Sequence, residues 1–362
     1  MYVNNDSVHD LNSCMKFFSN KPNINDSKCP IFPMLTEFDT WYKDIHGYLS
    51  AILCICGVLT NILNSIVLMK KTMINPINLL LLGIALSDMV KMLSYTIYTV
   101  YLNLVTAPSP CSYPHTYLWI TFILLHSTIV ICTHTTSTLL VVLLASFRAW
   151  TLTNITTEKR LKNKHSYFAI VIVFSISFVF SLPNLFFQQI TVFKHKYHWF
   201  VIKEGFQKEE DIQFFIYGCV VKSLSTIVLV ILTTFIIVVM KRSSKRKRRL
   251  NGPIKSVETG VKEMIPLRGS RHHNSVRDPY HKASMLLVTV VICFVLTELP
   301  QGIINTTAAL AQCFLDSVYI YIGDIMDLLV LINSSINFIL YCIMSQQFRD
   351  TFSNLFCHFC LK

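Results

Sequence analysis

Charge is scarce in this chain: only 14% of its 362 residues are Asp, Glu, Lys or Arg, and glycine and proline number just 10 and 12. Set beside a hydrophobic share of 52%, that balance lies outside the usual range for a soluble globular domain. Residues 1–46 hold no apolar core behind a charged start, so no cleaved signal peptide is expected, and the first apolar run is read as its own insertion signal. No Lys or Arg stands between Tyr101 and Tyr117, no cysteine between Gln188 and Asp211, and no lysine between Val318 and Met344. The last absence excludes a retinal Schiff base in the final apolar segment. Neither an internal repeat nor a matched pair of interrupted apolar segments is visible, which argues against an ion transporter.

Long apolar runs are what the sequence has instead. Crossing ~30 Å of hydrocarbon takes roughly 20 mostly apolar helical residues. Such runs lie at about Gly47 to Met69, Ile77 to Val100, Leu118 to Phe147, Ser166 to Phe187, Ile212 to Met240, Ala283 to Ala311 and Val318 to Met344. The predicted fold is therefore all-α: a seven-transmembrane helix bundle over residues 47–344, after an N-terminal arm (1–46) and before an amphipathic helix and tail (345–362). In that last piece Phe348, Phe352 and Phe356 recur every four residues on one face.

Lys and Arg favour the cytoplasmic side of short connections. Thr151 to His165 carries Lys159, Arg160, Lys162 and Lys164, and Lys241 to Leu250 reads "KRSSKRKRRL", whereas Tyr101 to Tyr117 has none. The odd-numbered connections are thus predicted to be cytoplasmic, with the N-terminus outside and the tail inside. Asn5 and Asn25, each in "NDS", then stand where glycosylation can occur, and Asn154 in "NIT" does not. A net charge of +12 does not imply nucleic acid, because a basic run directly after a span is explained by orientation and by anionic membrane lipid. Residues 241–280 read as a flexible cytoplasmic loop.

The twelve cysteines divide by location. Cys14, Cys29, Cys111 and Cys313 fall on the outer side, where two disulfides in any of three connectivities are open. Cys54, Cys56, Cys132, Cys219, Cys293 and Cys342 fall in spans and read as small packing residues. Cys357 and Cys360 follow the amphipathic piece and are candidates for palmitoylation.

Polar groups inside membrane helices are costly and normally face the bundle interior. Here they comprise Asn61 and Asn64 in the first span, Asp88 in the second, His126, His134 and Ser137 in the third, Glu298 in the sixth, and Asp324, Asp327, Asn333 and Asn337 in the seventh. Lys222 in the fifth is expected to snorkel or to pair within the bundle. His126 and His134 are eight residues apart with no matching ligands nearby, which makes a zinc enzyme a poor reading. The structural alternative for the amides is that they cross-link helices.

These spacings resemble the rhodopsin-like G-protein-coupled receptors. The resemblance runs from Gly47 to Cys360 and is carried by "LNSIVL" with Asn64, "NLLLLGIALSD" ending at Asp88, Arg148 at the end of the third span, Pro300 in the sixth and "NSSINFILYC" in the seventh. Within that family, "TELPQGI" and "YIGDIMDLLVLINSSINFILYCIMSQQFRDTF" are similar to the myosuppressin-receptor-like group of invertebrate receptors for FMRFamide-like neuropeptides. The resemblance implies a plasma-membrane receptor, without bond chemistry or cofactor, whose partners are an amidated neuropeptide and a heterotrimeric G protein. It implies a ligand site drawn from Glu298, Asp324, Asp327, His126, His134 and Gln301, a sodium-binding switch cluster of Asp88, Ser137, Asn333, Asn337 and Asn64, and G-protein coupling through Arg148 and Tyr341. An orphan chemosensory receptor of the same fold is the alternative.

Glu298 stands two residues before Pro300, and two readings of it remain open. It would meet the arginine of an Arg-Phe-amide peptide, or it is internal, bonded to His134 or an amide or held protonated. Four departures from the family pattern bear on mechanism. Arg148 sits in "FRAW" with no adjacent carboxylate, and Phe338 replaces the proline usual after Asn337. The loop Gln188 to Asp211 has no cysteine to tie it down, so packing or a hairpin in "ITVFKHKYHWFVI" must shape it. The fifth span has no proline, so its usual bulge is expected to be missing.

Overall fold

The computed structural model describes residues 32–105, 115–153, 162–193, 197–250 and 279–360. Seven helices among them are long and apolar enough to cross a membrane. They are α1 (Pro33–Leu68), α2 (Pro76–Thr99, continued by a π turn at Val100–Val105), α3 (Tyr117–Thr153), α4 (Asn163–Ser181, with Pro183–Phe187 beyond a break) and, after the strands β1 (Gln188–Phe193) and β2 (Tyr197–Ile202), α5 to α7. Helix α5 runs from Gln207–Ile216 through a π segment, Tyr217–Leu224, into Ser225–Leu250. Helix α6 is Pro279–Leu310, and α7 comprises Leu315–Tyr319, Ile320–Ser335 and Asn337–Met344. A final helix, α8, spans Gln346–Cys360.

Burial ranks the spans. In its most apolar 18-residue window α3 is 67% buried and α4 only 22%, so α3 is the central post and α4 a peripheral helix turned towards lipid. Helix α4 is held by hydrogen bonds at both ends: Ser166 Oγ donates to the Pro76 carbonyl at 2.6 Å, and Asn184 Nδ2 donates to Ser127 Oγ at 2.8 Å. The largest apolar cluster fills the half of the bundle nearer α8, where Leu80, Leu140, Leu229, Phe294, Tyr341 and Phe348 are all buried. Exposed Phe168, Val171, Ile231 and Leu296 on the outside of the helices suit contact with acyl chains.

The phenylalanine stripe of α8 behaves as its period implies. Phe348 is 1% exposed, packs on Phe338 and Tyr341 of α7, and stacks on Phe352, which meets Phe356. Phe338, standing where the family pattern has proline, is thereby a packing residue that joins α7 to α8. Arg349 Nη1 donates to the carbonyls of Cys342 and Ile343 at 3.1 and 2.9 Å, capping the end of α7 with positive charge.

Three elements differ from expectation. Helix α1 starts at Pro33, taking the end of the expected arm into helix. Pro33 is well placed in a first turn, and Asp39 to Lys43 at 2.6 Å, with the Phe38–Tyr42 ring stack at 5.5 Å, supports the residues that follow. The first ten residues of the expected flexible loop, Lys241 to Leu250, continue α5 as helix; good helix formers dominate that run, and the breakers Gly252 and Pro253 come only after it.

The third difference is the bulge in α5, which exists without a proline. Its cause is the close approach of α5 and α6. A Cβ on Gly218 would lie 2.9 Å from Asn305 Cβ and from the Thr306 backbone nitrogen, and one on Gly302 would lie 2.4 Å from Ser223 Oγ. Two glycines let the backbones meet, and the π segment turns Lys222 into the bundle, where it is 3% exposed.

The expected hairpin is present. β1 and β2 pair antiparallel, Gln188 with Ile202 through Phe193 with Tyr197. Ile190, Trp199 and Phe200 pack on Leu102, Ile120 and Ile123, and His198 Nδ1 is 3.0 Å from the His115 carbonyl oxygen. Apolar packing on α3 thus holds the loop where no cysteine is available.

Candidate functional site

Helix periodicity places Asp88 and Lys91 on one face of α2, three residues apart, and both point into the bundle, 3% and 1% exposed. Asp88 Oδ1 accepts from Lys91 Nζ at 3.1 Å and from Ser137 Oγ at 3.0 Å, and Oδ2 accepts from Asn337 Nδ2 at 3.1 Å. A buried carboxylate needs such donors to offset the loss of water. The cavity beside them has a volume of about 20 Å³ and is bordered by Asp88, Lys91, His134, Ser137, Asn333 and Asn337, among others. That is room for about one water.

One turn of the bundle away, Glu298 of α6 is 0% exposed. Its Oε2 lies 3.1 Å from His134 Nε2 and 3.6 Å from Lys222 Nζ, and its Oε1 accepts from Asn333 Nδ2 at 3.2 Å. Since three donor groups converge on two oxygens, the His134 nitrogen facing them carries the proton. Lys222 Nζ also donates to Gln301 Oε1, and it lies 5.4 Å from the centre of the Tyr217 ring. Two carboxylates and two ammonium groups, on α2, α5 and α6, therefore form one buried layer in which every charge has an opposite partner.

The sequence-predicted residues divide accordingly. Asp88, Ser137 and Asn337 come together. Asn333 bonds Glu298 instead, and neither amide atom of the fully buried Asn64 has a hydrogen-bond partner. Asn61 does cross-link helices, donating to the Gly57 and Ser334 carbonyls at 2.9 and 3.0 Å. Glu298 takes the internal alternative, with His134 and an amide as partners, and Gln301 belongs to the same layer. Lys222 pairs and does not snorkel.

Lys91 is the residue that sequence reasoning missed. Its signal was its spacing of three from Asp88, which on a helix gives two side chains one face. The sodium ion that the resemblance implies does not fit the residues present. A hard cation of this size seeks several oxygens, but both Asp88 oxygens already accept from protein donors, and an ammonium occupies the approach.

On the side of the bundle that carries the hairpin, a second group forms. His126 stacks on Tyr98 with ring centres 4.4 Å apart, meets Tyr95 edge-on at 4.8 Å, and shares a 2.7 Å hydrogen bond with Ser94 Oγ. Tyr101 stacks on Trp119 at 3.7 Å, and Phe122 lies between Trp119 and His126. Asp324 and Asp327 of α7 are half-buried near this wall, close to Tyr95 and Tyr98. No Lys, Arg or His among the described residues lies within 4.0 Å of either carboxylate.

At the opposite end, half-buried Arg148 lies in the last two turns of α3, and no carboxylate among the described residues pairs with it. Tyr341 is 3% exposed, within the cluster beneath it. Of the residues expected to carry modifications, Asn5, Asn25, Cys14, Cys29 and Cys111 lie outside the described residues, as do the side chains of Cys357 and Cys360. Cys313 is described and does not stand among the free cysteines.

Seven spans around a buried ionic layer, with an aromatic cluster towards one end and an arginine that pairs with no described carboxylate at the other, define a seven-helix membrane bundle. The family model of the serpentine type 7TM G-protein-coupled chemoreceptor Srw matches residues 48–359, and the chain belongs to that family. It is 27% identical over 363 aligned positions to the G-protein coupled receptor dmsr-1 of Caenorhabditis elegans, covering 90% of this chain and 71% of that protein. It is also 30% identical over 118 positions to Sex peptide receptor-related protein 2 of the same organism, covering 30% of this chain and 26% of that protein.

Proposed function

We propose that this receptor lies in the plasma membrane with its N-terminus outside, binds an amidated Arg-Phe peptide of the FMRFamide or myosuppressin kind on the hairpin side, and activates a heterotrimeric G protein at the α8 side. One observation carries the ligand class: Asp324 and Asp327 are half-buried carboxylates with no Lys, Arg or His within 4.0 Å among the described residues, beside an aromatic wall built from Tyr95, Tyr98, Phe122 and His126. Such a site favours a ligand with a guanidinium next to an aromatic group. Glu298, already supplied with three donors, is reserved for the internal layer. The similarity of 30% of the chain to a protein named as related to a sex peptide receptor supports a peptide ligand, and that to dmsr-1, named as G-protein coupled, supports coupling to a G protein.

Peptide binding acts by differential affinity for two arrangements of the helices, and shifts their populations by no more than that difference. A disulfide from Cys313 to one of Cys14, Cys29 or Cys111 would brace the outer rim, with glycans at Asn5 and Asn25 and palmitate at Cys357 or Cys360.

The deciding experiment is a screen of amidated Arg-Phe peptides on cells expressing the chain, with G-protein dissociation as the readout. For an active peptide, Asp324→Asn or Asp327→Asn is expected to lower potency about 10-fold to 150-fold, from a charge-assisted contact of ~1.5–3 kcal/mol at 1.4 kcal/mol per decade. Citrulline in place of the peptide arginine costs the wild type a similar factor and costs the matching mutant much less. Undiminished citrulline sensitivity in both mutants would remove these acids from the contact. The Srw description favours a second reading, a chemosensory receptor for a small cationic ligand; silence to every amidated peptide, with a response to amines, selects it.

Orientation has its own test. An N-terminal tag is expected to stain on intact cells, and a tag after Lys362 only once the membrane is permeabilised. The reverse pattern contradicts the proposed topology.

A further inference from the structure

We propose that the Lys91 ammonium is a tethered cation that takes the place of sodium on Asp88, so that the centre of this receptor is filled from within and does not respond to bulk sodium. The geometry makes the case. Lys91 Nζ sits 3.1 Å from Asp88 Oδ1 with both side chains nearly dry, at 1% and 4% exposure. Ser137 and Asn337 are its other partners, so both carboxylate oxygens accept from protein donors and the charge has an opposite partner without recruiting an ion. The neighbouring cavity, at about 20 Å³, holds a single water and not a cation with a water shell. The only other carboxylate found in the layer, Glu298, is engaged by His134, Asn333 and Lys222.

A tethered cation differs from a bound one in what it can do. A bound ion can exchange with solvent, and its occupancy follows its concentration. Lys91 remains attached to α2 whatever the medium, and can only move between partners. Glu298 is the other acid of the layer and is bonded to His134 and Asn333, which border the cavity beside Lys91, so a change in the setting of α6 or α7 would redistribute Lys91 between two carboxylates without any ion exchanging with solvent. The inference does not depend on which ligand the receptor binds.

The test uses the purified full-length chain in detergent and sodium itself as the probe, with thermal unfolding followed in sodium chloride and in choline chloride at equal ionic strength. The wild type is expected to melt at the same temperature in both. Lys91→Met strips Asp88 of its charge partner and is expected to melt lower in choline, then to regain ~2 °C or more in sodium, because a ligand bound only by the folded state raises its stability. Adding Asp88→Asn to that variant should abolish the gain. If Lys91→Met does not accumulate, Lys91→Gln, which keeps a donor and drops the charge, takes its place. A wild type stabilised by sodium over choline, with that response lost in Asp88→Asn, overturns the proposal. So does a folded Lys91→Met protein that gains no sodium response. A wild-type response that survives Asp88→Asn arises elsewhere and leaves the assignment at Asp88 standing. Neither G protein nor peptide enters the measurement, so its outcome is separable from the peptide-receptor reading.

Discussion

Arg148→Ala is expected to reach the cell surface at wild-type levels and to lose G-protein activation by tenfold or more. The arginine lies at the end of α3, half-buried, and no carboxylate among the described residues holds it. Its donors are therefore available to the carbonyls or carboxylates of a docking partner, where a charge-assisted contact contributes about 1.5–3 kcal/mol, one to two decades in affinity. Stability is expected to change little, because no ion pair is broken by the substitution. Surface display measured by an N-terminal tag, together with nucleotide exchange on the G protein, separates the two effects. Full coupling by the alanine variant would show that "FRAW" has given up the role that the resemblance assigns to Arg148.

A second large effect is expected in the ionic layer. Lys222→Met leaves the fully buried Glu298 with its neutral donors alone, and Glu298→Gln leaves the Lys222 ammonium with Gln301 and the Tyr217 ring. Removing one member of a buried pair typically costs about 3–5 kcal/mol, because the other charge stays out of water without compensation. With folded domains stable by only about 5–15 kcal/mol, each single variant is expected to lose most of its surface display. The double variant Lys222→Met/Glu298→Gln removes both charges at similar volume and is expected to recover much of that display. Thermal unfolding of the three proteins in detergent measures the coupling as a departure from additivity. Strictly additive losses would show that the 3.6 Å approach of Lys222 to Glu298 carries no net coupling.

Much of the architecture was legible because it depends on local composition. A span announces itself through about 20 apolar residues, since every backbone polar group within lipid must be satisfied inside its own helix. The amphipathic α8 follows from a period of four, and the β1–β2 hairpin from a run rich in β-branched and aromatic residues. What misled were inferences from a single residue type. Absence of proline in α5 implies absence of a bulge, yet a π segment is present where Gly218 and Gly302 let two helices meet. The segment after α5 reads as loop because its Gly, Pro, Ser and charges show no apolar period, yet local helix propensity carries the helix as far as Leu250.

The polar site was legible as a set and not as a wiring diagram. Asp88, His134, Glu298, Asn333 and Asn337 could all be picked out, because ionisable and amide groups are rare in spans and therefore point inward. Their partners could not, and Asn333 shows why: a small rotation of α7 decides whether its amide serves Asp88 or Glu298, and its own sequence is indifferent to the choice.

By itself, then, the sequence determined that the chain crosses a membrane seven times, which segments do so, and which polar residues face the interior, all consequences of helix period and of the cost of polar groups in hydrocarbon. Only the tertiary structure decided that Lys91 reaches Asp88, that Glu298 is held between His134, Lys222 and Asn333, and that no described Lys, Arg or His comes within 4.0 Å of Asp324 or Asp327. Those outcomes turn on the rotation and approach of whole helices, which are set by packing between residues as distant as Gly218 and Thr306. A charge pair forms where two helices bring their faces within a few ångströms, and no single helix carries that information.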